Sequence, residues 1–329
     1  MPRLPITIAT YGYDHVRDLL DGRVPVEGLE VTGLLLQFED IVYRMEVFGE
    51  FDVSEFSMGK YVSMLSRGDD RLVALPVFPS RVPRLSAIYV NPDGPVRRAE
   101  DLRGKRIGVP EWAQTATIYM RGWLTDVVGV RLDDVEWYQG GVNDAGRREE
   151  SRVDLPDGVR VTRVTDRTLS EMLAARDLDA LFSARPPAHF LAGTPGMVRL
   201  FADYREAEEA YCRKTGIVPI MHTFVVKRPL VERHPWIVRS LFDGFERAKR
   251  ASVERALDMT ASRFPVLWGP HHADASRGVF GGDPWPYGVA ANRVALDAFL
   301  RWAFEQGVAA RRLTPEEVFP PSLRSGFRV

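Results

Sequence analysis

Short apolar runs, each broken by glycine, proline or a polar turn, recur along the chain and switch between the two-residue period of strands and the longer period of helices. Ile6 to Ala9 alternates as a strand, the turn TYGYD follows, and Asp14 is placed to cap a helix from His15 to Leu20. Val31 to Phe38 reads as a second strand, Asp40 to Gly49 as a helix, and Phe51 to Ser54 as a third strand, after which SEFSMG opens another helix. Leu72 to Ala74 and Leu85 to Val90 are strand-like on either side of the proline-punctuated PVFPSRVPR. Further strands are predicted at Arg106 to Val109, Val135 to Tyr138, Arg160 to Val164 and Leu178 to Ser183, with helices at Thr115 to Val128 and Leu169 to Arg176. Residues 143 to 158 are charge-rich and read as a solvated excursion. The chain then returns through an extended Gly216 to Val226 and ends in helices at Pro235 to Ser252 and Ala290 to Glu305.

This succession predicts an α/β chain in two lobes, each a mixed sheet flanked by helices. Residues 1–90 and 216–329 are expected to form a discontinuous first lobe, and residues 91–215 an inserted second lobe, joined by a two-strand hinge. Open α/β sheets bind ligands at the carboxyl ends of their strands, and domain interfaces favour small-molecule sites. The segments FDVSEFSMGKYVSML (Phe51 to Leu65) and KTGIVPIMHTFVVKR (Lys214 to Arg228), with the PSR run at Arg81, are therefore expected to line one cleft.

Composition narrows the classes. At 329 residues the chain is about twice the usual single-domain length, and 45% apolar content supplies a sizeable core. A formal charge of −1 offers no basic field for nucleic acid or an anionic membrane. No apolar run approaches the roughly 18 residues of a membrane span. The opening MPRLPITIATYGYDH has neither an apolar h-region nor a small-residue cleavage site. Cys212 is alone, so an intrachain disulfide is excluded and a cytoplasmic setting is the simplest expectation.

Six segments carry a family pattern: FDVSEFSMGKYV, FPSR followed by SAIYVN, DLRGKRIGVPEWAQTATIYMRG, WYQGG, RKTGIVPIMHT and DPWPYGVAANR. In order and spacing, over nearly the whole chain, they resemble the 4,5-dihydroxyphthalate decarboxylase family. The resemblance implies the type II periplasmic-binding-protein-like fold, recruited for cytoplasmic catalysis. One departure follows FPSR, where the family pattern continues with an aromatic residue, an arginine and a histidine; here the chain reads Val82, Pro83, Arg84, Leu85. Leucine can neither donate a proton nor ligate anything.

A decarboxylase of a hydroxylated aromatic acid needs protonation of the ring carbon that bears the carboxylate, followed by loss of carbon dioxide. A ring hydroxyl pushes the electrons, so no organic electron sink is needed and no cofactor is expected, and the partner expected is a small anionic aromatic substrate. Arginine is the natural carboxylate clamp because its planar fork meets both oxygens. Arg81, Arg84 and Arg185 are placed for that role, and Arg121 less directly. The loop EWAQTAT could aim the amides of Thr115, Ala116 and Thr117 at an anion. Glu55 and Ser57 could contact substrate or cap the next helix. His222 and His15 are candidate proton carriers, with His189 a third. Asp283 and Tyr287 are drawn in by the resemblance: Asp283 to orient the proton carrier, Glu55 or Tyr287 to assist the phenol. His271, His272 and Asp274 are adjacent but lack matched ligand spacing, so no metal site is expected. Aromatic runs such as PWPY would suit a homo-oligomer contact. Two other readings share the fold: a different lyase or ring-forming enzyme, and a non-catalytic binding or sensing protein for an anionic metabolite.

Overall fold

Where apolar runs have both faces covered they form the interior of two mixed sheets. A computed structural model describes residues 2–261 and 263–323; the ends of the expected first lobe, Met1 and residues 324–329, lie outside them. In chain order the strands are β1 (Leu4–Thr10), β2 (Leu29–Leu35), β3 (Val53–Ser57), β4 (Leu72–Leu75), β5 (Ile88–Val90), β6 (Arg106–Val109), β7 (Glu136–Gln139), β8 (Val161–Arg163), β9 (Ala180–Phe182), β10 (Val198–Arg199) and β11 (His222–Lys227). The first sheet runs β2-β1-β3-β11-β4 and the second β10-β5-β9-β6-β7-β8. β1 is parallel to β2 and β3, while the returning β11 is antiparallel to β3 and β4. The second sheet likewise has a parallel part, β9-β6-β7-β8, and an antiparallel edge at β5 and β10. The fold is thus two-lobed α/β, as the pattern predicts. Among the described residues no helix is long and apolar enough to cross a membrane.

Several boundaries differ from the sequence reading for identifiable reasons. β3 starts later than Phe51 and runs through Ser57, because all five of its residues are buried between β1 and β11. Ser57 closes it and caps the helix Met58–Ser66 by accepting the Lys60 N–H at 3.4 Å. Phe38 opens the helix Phe38–Phe48 and does not end β2. Asp14 is the first helical residue, Tyr13 holding the cap position. The helices Tyr204–Thr215 and Gly269–Phe280 had no counterpart in the pattern reading. The chain leaves the first sheet after β4, and β5 already lies in the second, ahead of the crossing expected at residue 91. The PWPY run is not exposed: Pro286 and Tyr287 are buried, and Trp285 donates to the Phe78 carbonyl at 2.9 Å.

The helix Arg293–Glu305 fastens the two halves together. It packs on the helix Thr115–Trp123 of the second sheet, with Tyr119 stacked on Phe299 at 5.2 Å between ring centroids. Arg121 is fully buried within this contact, stacked on Trp112 at 3.9 Å and donating to Gln306 Oε1 at 2.9 Å. Its role is structural, and it is absent from the cleft lining. Gly122 lies directly under the Trp302 ring, where a Cβ would overlap the indole. In an exposed helix a glycine-to-alanine change gains about 1 kcal/mol. Here overpacking reverses the sign, so Gly122→Ala is expected to cost about 1–3 kcal/mol in urea or thermal denaturation; a gain in stability would contradict this packing.

Candidate active site

The register of β3 and β11 builds the centre of the site. His222 lies opposite Ser57, and Glu55 shares a face of β3 with Ser57, so Glu55 and His222 are diagonal neighbours across an antiparallel pair. His222 Nδ1 meets Glu55 Oε1 at 2.6 Å. Glu55 is fully buried, and three other donors complete its shell: the Tyr13 hydroxyl at 2.6 Å, the Tyr11 N–H at 2.9 Å and the Thr10 hydroxyl at 3.2 Å. Burial works to protonate this carboxyl, but the bonds from His222, Tyr11 and Tyr13 outweigh it and hold the group below the usual carboxylate range. The Tyr13 hydroxyl is pushed up by burial and by the Glu55 charge, so it stays a donor. The imidazole of His222 is clamped from the other side by Phe38, whose ring stacks on it at 3.7 Å and 5°. With Nδ1 committed to Glu55, Nε2 is the nitrogen left to the cleft.

The cleft cavity occupies about 830 Å³ between the sheets. Ser57, Arg84, Thr115, Arg185 and His222 all line it, so five of the residues expected at the site converge there, with Glu55 immediately behind. Ser57 and Thr115 bridge the lobes, Oγ to Oγ1 at 3.1 Å, and the Gly59 N–H donates to Thr115 Oγ1 at 2.9 Å. Gly59 is required at that approach, since a Cβ would overlap the Ala113 carbonyl oxygen. Arg185 pairs with Glu39 at 2.7 Å across the cleft mouth, and Lys60 with Glu150 at 2.5 Å. Arg84 differs from these cations. It donates to the Met221 sulfur at 3.2 Å and makes no ion pair among the described residues; burial lowers its pKa to about 10, leaving it charged at neutrality.

Other expected residues lie elsewhere. Thr117 turns its hydroxyl back into its own loop, donating to the Gln114 and Glu111 carbonyls at 2.8 and 2.9 Å. His15 and Arg81 line a second cavity of about 560 Å³, together with Lys249, Cys212 and Trp285. His15 meets the Pro79 carbonyl at 3.0 Å, and burial lowers its pKa to about 4. Arg81 is buried against Asn292 and the Pro286 carbonyl. Asp283 pairs with Lys249 at 2.5 Å, whereas Tyr287 is buried and lines neither cavity. His189 bonds to Ser170 Oγ at 2.9 Å. His271, His272 and Asp274 fall on the helix Gly269–Phe280, and no group of three or more potential ligands is placed to hold a metal among the described residues. Sequence reasoning missed Tyr13, Phe38 and the cleft residues Glu111, Lys60 and Arg147. Tyr13 sits inside the TYGYD turn at the end of β1, and that strand-end position is the signal in the sequence that marks it.

Two mixed sheets with a cleft between them define a two-lobed fold of the periplasmic-binding-protein type. The alkanesulfonate-binding type shares the fold: the periplasmic aliphatic sulphonate binding protein SsuA of Escherichia coli superposes with a TM-score of 0.58 over 100% of this chain and 96% of its own, at 13% identity. A 4,5-dihydroxyphthalate decarboxylase of Comamonas testosteroni is 34% identical over the full length of both chains. One from Pseudomonas putida is 36% identical over 65% of this chain and 83% of its own. No family model matches the chain. The chain belongs to the 4,5-dihydroxyphthalate decarboxylase family, a family of carboxy-lyases.

One acid behind the cleft makes stability pH-dependent. Glu149 accepts N–H bonds from Trp112 and Ala113, and burial, aided by the Glu111 charge, pushes its pKa from 4.5 up to about 7. Between those values the folded chain holds a proton that the unfolded chain has released, so stability falls as pH rises through the window. Glu149→Gln keeps an acceptor for both N–H groups and removes the titration. Its melting temperature is expected to exceed that of the wild type at pH 8 and to match it near pH 4; identical pH profiles would contradict this.

Proposed function

We propose that the chain decarboxylates a small hydroxylated aromatic acid of the 4,5-dihydroxyphthalate type, with Arg84 holding a carboxylate and His222 supplying the proton. The observation that carries this reading is a cleft-lining guanidinium that makes no ion pair among the described residues, in the same cavity as a carboxylate-oriented imidazole. A partly desolvated arginine gains most from a bidentate anion. The first turn of the helix Thr115–Trp123, whose Ala116 lines the cavity, adds backbone N–H groups and the positive end of the helix dipole. The imidazolium form of His222 gives its Nε2 proton to the ring carbon that carries the carboxylate. Glu55 stabilises that cation and fixes its tautomer once the proton has gone. The bond to the carboxyl carbon then breaks, its electron pair restores the aromatic ring, and carbon dioxide leaves.

Leu85 stands where the family pattern leads to a histidine, and it is packed in the core at 6% exposure. That supports assigning the proton to His222 and leaves the ring substituents of the natural substrate open within the class. A cytoplasmic setting suits the lone, buried Cys212.

Chelator-treated protein is expected to release carbon dioxide from 4,5-dihydroxyphthalate or a close hydroxylated analogue; a folded protein silent across such a panel would overturn the reading. His222→Asn should lower kcat by about 10²-fold or more. Arg84→Lys should raise KM by about tenfold, because the bidentate fork is lost while the charge remains. Near-normal kinetics in either variant would remove that residue from its role.

A further inference from the structure

The reaction needs an acceptor for the phenolic proton, and neither residue expected to assist the phenol can reach the cavity as one. Both oxygens of Glu55 are occupied by its four donors, and Tyr287 is buried outside the lining. The second sheet supplies another candidate. Glu111 follows β6, lines the cleft cavity and is 5% exposed. Arg147 Nε and one terminal Arg147 nitrogen both meet the same oxygen, Oε1, at 2.6 Å. Oε2 accepts no hydrogen bond among the described residues. Other acceptors on that wall are less suited: Asn143 bonds to the Pro186 carbonyl and the Ala188 N–H, Glu150 pairs with Lys60, the unpartnered Gln114 oxygen belongs to an amide that cannot take up the proton, and Asp144 is exposed to solvent.

We infer that Glu111 is the residue that recognises the ring hydroxyl and takes its proton during the reaction. An unoccupied carboxylate oxygen in a cavity is an acceptor, and of the groups on a hydroxylated aromatic acid at neutral pH the hydroxyl is the donor. Arg84 and His222 approach from the hinge and first sheet, Glu111 from the second, so the ring lies between the clamp and the acceptor. In the proton-transfer step the phenolic O–H bond breaks and its proton passes to Glu111. The oxygen's electrons move through the ring to form the new C–H bond with the proton from His222. As carbon dioxide leaves, its bonding pair rearomatises the ring and the oxygen recovers the proton from Glu111. The net change is one proton consumed through His222 and one carbon dioxide released, with Glu111 regenerated.

This inference rests on the decarboxylase reading, and unreactive probes separate the two. Benzenesulfonate and 4-hydroxybenzenesulfonate carry the anion and the ring but cannot lose carbon dioxide. By calorimetry the wild type is expected to bind the hydroxylated probe about tenfold or more tightly than the plain one, the worth of a hydrogen bond to a charged acceptor. Glu111→Gln should reduce that ratio at least about threefold while retaining benzenesulfonate affinity, and Glu111→Asp should keep part of it. Equal affinities in the wild type, or an unchanged ratio in a folded Glu111→Gln, overturn the assignment and leave the roles of Arg84 and His222 standing. If Glu111→Gln does not fold, the wild-type ratio and that of Glu111→Asp decide on the same terms. Failure of the wild type to bind either probe overturns the underlying reading, and this inference with it.

Discussion

A single buried carboxylate organises the site. Glu55 sits in the middle of a strand covered on both faces, and an ionised group there is tolerable only when fully hydrogen-bonded. Its four donors come from three places in the sequence: the end of β1, the turn after it, and the strand that returns from the second lobe. The Glu55 charge thus ties β1, β3 and β11 in one register and fixes which nitrogen of His222 reaches the cleft. Removing one partner of such a buried pair costs about 3–5 kcal/mol, so the dyad bears on stability as well as on chemistry.

A second constraint sets the width of the cleft. Gly59 and Thr115 bring two helix N-termini into contact across the lobes, and the helix Arg293–Glu305 with the adjoining Gln306 locks the far side through Trp302 on Gly122 and Gln306 on Arg121. The main apolar core runs continuously through both sheets. Within this frame most of the cavity's cations are paired with acids, while Arg84 makes no ion pair among the described residues and is available to an incoming anion.

Much of this was legible in the chain itself. The alternation of strand and helix periods indicated two lobes, and the extended return segment carried His222, which begins the strand paired with β3. Glu55 was visible as a polar residue in FDVSEFS, but β3 is buried on both faces, so periodicity could not tell strand from turn and the segment SEF was read as a helix start. Thr115 and Thr117 look alike in the sequence; which hydroxyl faces the cleft depends on helix phase. Arg81, Asp283 and Tyr287 lie in segments carrying the family pattern and His15 follows a strand-end turn, which is why all four are expected beside the substrate. Their placement instead follows from the long helix Ile237–Leu257 and the helix Gly269–Phe280, whose docking no local pattern reveals. Arg84 was legible as a hinge arginine, though its lack of an ionic partner depends on long-range packing.

The most direct test of the account is a crystal structure of the protein with 4-hydroxybenzenesulfonate bound. The account predicts the sulfonate on the Arg84 guanidinium, the ring carbon that bears it facing His222 Nε2, and Phe38 still stacked on the imidazole. A sulfonate seated instead in the cavity lined by His15 and Arg81, with the cleft between the sheets unoccupied, would contradict it.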